Sequence, residues 1–517
     1  MIRILLPLAA FLSAASSLAV EIAIVRLGAP YVGQSLLPWS AAIASVLLGL
    51  TAGHVLGGIA GGTTASTPTL RGWLAAAWLA AGLATLLMPT LTGTAAAAFA
   101  GDDGFGSGAT VAIALLACPP SVAAGFVAPL VLRIAAATPH LQLPRMVGAI
   151  YAASAAGSVA GTTAAGFALL ERIGAAGLAH MSGGLWLVLG AIALPARRPA
   201  VVVPIYGAVV AAIGILPMFG DNRCLLETRY TCIRLFDKPL GGADLLRFMV
   251  LDEGVHSASD RDRPDRLHLG YAALTDRLAQ AAFAAAQEPR ALVIGGGGAT
   301  LPRTWASATP PVATEVIELD AEVARLARDL MWAGQSPTLR TIVGDGRAVL
   351  RSMPRRPTYD AALMDAYRTR SVPPHLVTAE FAREVAARLS WNGVYLSNII
   401  DRADPPLLAL SIATTLATVF PAVDLWVAGP PHSGTTNVVV AAWTNPARAL
   451  RPAEMTVAAT VLDAGGTPRA QDVRWRRIDL TAAKARWPHA CALTLTDDWA
   501  PIDRLLAGRP ACRPPSS

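Results

Sequence analysis

The chain has 517 residues, 54% of them hydrophobic, with a formal net charge of +7 and a mean hydropathy of +0.48. Residues 1–219 carry only eight Arg and four Asp or Glu, whereas residues 220–517 carry the other 34 basic and 31 acidic side chains, so a uniformly water-soluble globule is excluded. Only Lys238 and Lys484 are lysines and no basic run tracks phosphates, so nothing points to nucleic acid. The five cysteines show neither CxxC nor Cys/His spacing, and no metal is expected.

Crossing a ~30 Å hydrocarbon core takes about 20 apolar residues. Seven stretches qualify, at roughly 3–25, 37–60, 72–92, 109–135, 146–170, 174–195 and 200–219. Arg3 and Ser17-Leu18-Ala19 would also suit a cleaved signal segment. Gly49, Gly53 and Gly57, and again Gly157 and Gly161, fall at helix-face spacing and are read as close helix contacts. Glu21 and Arg26, at the end of the first span, are expected to pair with each other. The Arg tally places the second half outside the cytoplasm: Arg3, Arg71, Arg133, Arg145, Arg197 and Arg198 share the N-terminal face, against Arg26 and Arg172 on the other. The four cysteines outside the spans agree weakly with an oxidising compartment. The expectation is nevertheless a multi-pass cell-membrane protein with a cytoplasmic soluble part.

After Gly220 strand patterns begin, at Glu227–Phe236 and Leu245–Leu251, closing on the turn Asp252-Glu253-Gly254; residues 220–275 read as a small β-hairpin subdomain. From Arg290 strands alternate with helices, which predicts a Rossmann-like α/β domain over 276–517 behind the α-helical membrane domain 1–219. The strands expected are Ala291–Ile294, Glu315–Leu319, Arg340–Val343, Ala361–Met364, Val394–Ile399, Val423–Val427 and Val438–Ala442. The first runs into Gly295-Gly296-Gly297-Gly298, where a ligand can approach the main chain closely. The second ends at Glu318, which can accept both hydroxyls of a ribose. The third ends in Gly344-Asp345-Gly346, with Asp345 facing an adenine amine, and the fourth at Asp365. Four ligand-type positions at four consecutive strand ends indicate a nucleoside cofactor. No Lys follows the glycines, which excludes a P-loop, and the dinucleotide spacing is missing.

At these residues the chain resembles the spermidine synthase family, and more closely its membrane-fused branch, in which a transporter-like helical half precedes the synthase domain. Val293 to Gly298 stands at that family's glycine-rich loop, Glu318-Leu319-Asp320 at its ribose site, Gly344-Asp345-Gly346-Arg347 at its adenine loop, and Tyr359-Asp360 through Asp365 at the strand ending in the catalytic Asp. The fused branch is matched further by Asp365-Ala366-Tyr367, Val372 to Phe381, Leu495 to Pro501, Leu12 to Leu27 and Leu47 to Gly58, so that the resemblance covers nearly the whole chain. Glu227-Thr228-Arg229-Tyr230 and Leu251 to Ser257 resemble the strand domain.

The resemblance implies aminopropyl transfer in polyamine metabolism. Decarboxylated S-adenosylmethionine or S-adenosylmethionine is the co-substrate, a small amine or polyamine the acceptor, and a homodimer one option. Asp365 is the expected catalytic residue, with Tyr367, His256 and Tyr230 at the acceptor and His375 an alternative base. Gly298 stands where the family's loop Asp would be, Arg368 where a second Asp would be, Thr231 where a Gln would be, and Tyr271-Ala272-Ala273 where Tyr-His-Glu would be. The adenosine half of the site is thus retained and the amine half largely replaced. Arg368 and Arg370 would repel a polyamine and favour an anion. A methyltransferase, or a membrane transporter that senses a nucleoside without turnover, are the alternatives. Asp497 and Asp498 are read as reaching the site or capping a short helix.

Overall fold

Backbone in hydrocarbon has to satisfy its own N–H and C=O groups, and the apolar first part of the chain does so by coiling. The computed structural model describes residues 2–33, 36–62, 66–99, 107–138, 142–194, 224–241, 244–252, 254–367, 371–429, 434–462 and 467–510, with isolated residues between 204 and 211. Two compact units result, Met1–Cys232 and Ile233–Ser517; the boundary expected at 219/220 lies outside the described residues.

In the first unit, five stretches are long and apolar enough to cross a membrane: Arg3–Val32, Leu37–Ala60, Thr67–Ala98, Gly108–Ala137 and Leu143–Ala193. The last holds two of the seven expected spans. Its 51 residues would be about 76 Å long as one straight helix, far beyond a ~30 Å core. It is interrupted by a π-turn at Ala165–Leu169 and by Gly174 at φ +70°. The seventh expected span, 200–219, falls almost entirely outside the described residues.

Two of the small-residue rows meet backbone. A Cβ on Gly157 would come within 2.2 Å of the Phe11 carbonyl oxygen, and one on Gly53 within 2.1 Å of that of Val122.

Arg26 departs from expectation. Its partner is Glu227, at 3.4 Å, and not Glu21, and its other nitrogens donate to the carbonyls of Thr228 and Tyr230. The local pairing fails because Arg26 sits where the chain beyond the helices returns. Glu227 in turn accepts from the Ala175 N–H just past the break at Gly174, at 2.7 Å. Cys224 and Cys232 close this segment with a disulfide, a bond that an oxidising compartment sustains.

A four-stranded sheet follows in the order β1 (Leu226–Glu227), β2 (Cys232–Gly241), β3 (Asp244–Leu251) and β4 (Gly254–Asp260), with β2, β3 and β4 as an antiparallel meander, two strands more than the hairpin expected. A nine-stranded sheet follows, of β5 (Arg290–Ile294), β6 (Ala313–Glu318), β7 (Leu339–Val343), β8 (Tyr359–Met364), β9 (Leu389–Arg402), β10 (Ala422–Ala428), β11 (Thr435–Trp443), β12 (Glu454–Leu462) and β13 (Pro468–Asp479). Its order is β12-β13-β10-β11-β9-β8-β5-β6-β7. β5 to β9 are parallel, as their unbroken apolar runs imply. β10 to β13 are antiparallel, so the strand–helix alternation read from Arg290 onward gives way there to antiparallel pairing. The buried core gathers Val293, Val316, Leu363, Leu396, Val439 and the indoles of Trp305, Trp426, Trp443 and Trp475.

The Arg26 and Glu227 side chains are only 3% and 9% exposed, so removing one leaves a buried, unpaired charge. Arg26→Ala in the full chain is expected to cost about 3–5 kcal/mol. Thermal unfolding in detergent micelles checks this; unchanged melting means that the pair does not hold the segment.

Candidate functional site

The strand order reverses at β5, which has β6 on one side and β8 on the other, and open α/β sheets offer a crevice at such a point. Gly295 leaves β5 at φ +90°, and a Cβ there would lie 2.6 Å from the Ala366 nitrogen and the Asp365 carbonyl oxygen. Glycine is therefore what lets the residues after β8 come alongside, and the Asp365 N–H bonds the Ile294 carbonyl.

Asp365 is received by two donors. Tyr271, from the helix Gly270–Phe283, gives its hydroxyl proton to Oδ2 at 3.0 Å, and Asn398 of β9 gives Nδ2–H to Oδ1 at 2.9 Å. Burial outweighs both donors and pushes the carboxyl up to about 7. The Tyr271 phenol is driven well above its ordinary value by burial and by Asp365, so it stays protonated and donates.

A small cavity opens beside this pair, bordered by Asp365, Tyr271, Gly295, Gly296, His256 and Ser257, among others. Burial lowers His256 to about 4, so its imidazole is neutral at pH 7.

On the nucleoside side, Glu318 accepts from the N–H groups of Gly296 (2.9 Å), Gly297 (3.1 Å) and Asp320 (3.0 Å). Burial raises this carboxyl, with the three N–H groups pulling the other way. A carboxylate has about four lone-pair sites. With three filled, Glu318 can take one ribose hydroxyl, and accepting both would mean releasing a backbone N–H. Asp345 caps the helix Gly346–Ser352 through the N–H groups of Arg347 and Ala348, and its second oxygen meets His375 Nε2 at 2.9 Å. Burial works to raise Asp345, but these partners outweigh it and hold it low. One lone pair stays open for an adenine amine. Leu319 and Val343, 44% and 52% exposed at the same strand ends, offer apolar faces to a purine. The donor set fits an adenosyl group.

Several expected residues stand elsewhere. The Tyr367 hydroxyl donates to the Asn398 carbonyl (2.6 Å) and accepts from the Ile400 N–H (2.8 Å), both on the β9 backbone. Tyr230 belongs to the first unit, where its carbonyl takes Arg26. His375 holds Asp345 and is not positioned as a free base. Asp497 grips Arg347 through two bonds of 2.7 Å and accepts from the Thr378 hydroxyl, so it braces the adenine loop. Arg368 and Arg370 lie outside the described residues. Among the described residues no group of three or more His, Cys, Asp or Glu could hold a metal. Ser257 and Asn398 were not singled out: a small hydroxyl in the mixed strand Gly254–Asp260 and an amide in the largely apolar Leu389–Arg402 leave no spacing pattern.

No family model matches the chain. Part of it is similar to a polyamine aminopropyltransferase of Vibrio vulnificus (strain CMCP6), 32% identical over 148 residues, which is 28% of this chain and 48% of that protein. A probable polyamine aminopropyl transferase of Bifidobacterium longum (strain NCC 2705) is 25% identical over 222 residues, 42% of this chain and 48% of that one. The chain spans about half the length of the curated relatives it matches, and the matched share is narrower than the nearly whole-chain resemblance read from its motifs. Among solved structures, a probable spermidine synthase from Corynebacterium glutamicum ATCC 13032 aligns with 53% of this chain and 95% of its own at 22% identity and a TM-score of 0.43.

Asp365 holds its proton more tightly folded, at about 7, than at its ordinary value of 3.8. Its contribution to stability is therefore full below about pH 4 and lost as pH rises through 7. Asp365→Asn removes that loss, so the variant is expected to melt above the parent at pH 8, with the gap closing towards pH 5. A gap of equal size at both pH values would show that the buried charge is not its cause.

Proposed function

We propose that the chain is a membrane-anchored transferase of the aminopropyltransferase type, with a transporter-like helical half fused to a synthase-like unit. It moves an aminopropyl group from decarboxylated S-adenosylmethionine to an amine and releases methylthioadenosine. The observation that carries this reading is the Asp365 carboxyl, raised to about 7 and held between Tyr271 and Asn398 beside the glycine turn. A base poised near neutrality suits proton removal from a cationic amine. The named relatives support the same transfer.

The donor, when bound, supplies a carbon made electrophilic by its sulfonium. Glu318 and Asp345 hold the nucleoside end, each already fixed by backbone N–H groups, so that little reorganisation is needed on binding. Asp365 takes the proton the amine nitrogen gives up as the nitrogen–carbon bond forms and the carbon–sulfur pair returns to sulfur. Tyr271 keeps one face of that carboxylate hydrogen-bonded throughout.

Methyl transfer is the second reading, and Gly298 favours it. A Cβ at 298 would lie 2.7 Å from Ser257 Cβ and 3.0 Å from Met331 Cε, so the space in which a loop acid would extend is filled. A cationic aminopropyl end finds no carboxylate there.

Purified full chain, given either donor and a panel of amines, is expected to release methylthioadenosine, in a rate that rises with pH through about 7. S-adenosylhomocysteine instead would establish methyl transfer, and neither product a binding protein. Asp365→Asn is expected to lower turnover by about 10²–10⁴-fold while donor binding by calorimetry is kept; unchanged turnover removes Asp365 from the mechanism.

A further inference from the structure

A primary amide beside a carboxyl can face it in two ways. Turned with NH2 towards the oxygen it stabilises the carboxylate, and turned with its carbonyl it stabilises the protonated acid. Asn398 therefore governs which form of Asp365 is favoured, provided that something fixes its orientation. Asn398 is 2% exposed on β9, so water does not compete for its amide. Its Oδ1 accepts from Nδ2 of Asn437 on β11 at 2.9 Å, which leaves its NH2 directed at Asp365 Oδ1. The two strands are paired in register there, with Val439 opposite Asn398 and Asn437 opposite Ile400, so the amides lie two residues apart along neighbouring strands on a rigid ladder.

We infer that Asn437 and Asn398 form an orientation lock in which Asn398 is the positioning residue for Asp365, keeping an N–H donor turned to the carboxyl so that its ionised form is the one favoured. The inference rests on the reading of Asp365 as the base. The remaining described groups around that carboxylate do not offer the same control. Tyr271, on the helix packed over the sheet, donates whichever way Asn398 points. Tyr367, on the loop after β8, is spent on the β9 backbone, with Asp401 acting on its phenol. His256 of β4 stands edge-on to Tyr367, with ring centroids 6.4 Å apart, and is neutral. Neither asparagine borders the cavity, so both act through Asp365.

The test is the titration of Asp365 in the full chain, followed as the infrared carbonyl band of its protonated form with Asp365→Asn as the blank, beside the pH profile of turnover. Asn398→Leu is expected to move the midpoint up by at least about one unit, the size of one lost charge-assisted hydrogen bond. At pH 6 that is a loss of about tenfold in turnover that higher pH recovers, with KM for the donor unchanged. Asn437→Leu, which does not touch Asp365, is expected to shift the midpoint the same way by less, because the freed amide can then follow the protonation state. If Asn398→Leu does not fold, Asn437→Leu decides alone. An unmoved midpoint, or a loss of turnover equal at every pH, overturns the lock. The infrared titration needs no turnover, so a chain without transferase activity whose midpoints shift would sink the proposed reaction and leave the lock standing.

Discussion

A carboxyl withdrawn from water has to find donors or keep its proton, and Asp365 is arranged to stand near the balance of the two. Desolvation alone would keep it neutral, and the Tyr271 hydroxyl and the Asn398 amide pull it back to about 7. Much of the local structure answers to that requirement. β8 must end where β9 can reach across with Asn398, the helix Gly270–Phe283 must present Tyr271, and residue 295 must lack a Cβ so that Asp365 and Ala366 can lie against the end of β5. The glycine turn thus serves the acid as well as any nucleoside.

The other two carboxylates of the crevice are held by backbone N–H groups, and of these Asp345 is moved the opposite way to Asp365, while burial raises Glu318 as it does Asp365. Asp345 spends one oxygen on a helix N-terminus and is held low, and Glu318 is clasped by three backbone N–H groups. Groups so well satisfied suit holding a ligand and not exchanging a proton with it. One sheet edge therefore carries Asp345 and Asp365, two side chains of one type, in environments that push their pKa values apart.

The strand ends were legible because a parallel strand buried on both faces has to be a short apolar run, and the run stops where ligand chemistry begins, as in Val293-Ile294-Gly295 and Val316-Ile317-Glu318. β12 and β13 escaped that logic. Arg474, Arg476 and Arg477 along β13 look like a solvated segment, although Trp475 between them is buried in the core. The amides escaped for a different reason: Asn398 and Asn437 lie on separate strands, and only the register of β9 against β11 brings them together. Distance in sequence hid the partner of Arg26 in the same way. A nearby acid five residues back was the economical reading, whereas the residue that pairs is some two hundred positions on.

What stayed illegible bears directly on the acceptor. Sequence reading could note that Gly298 replaces an acid, but not that the vacated volume had been filled. Ser257 occupies it from β4 and receives the Gly298 N–H at 2.7 Å, so the change is built into the packing of the meander against the glycine turn. Restoring an acid at 298 alone would drive its Cβ into Ser257, and the loop would have to move before the charge could act. This side of the cavity is therefore shaped by β4 and the glycine turn together. The Ser257 hydroxyl and the neutral His256 imidazole border that cavity together with Asp365.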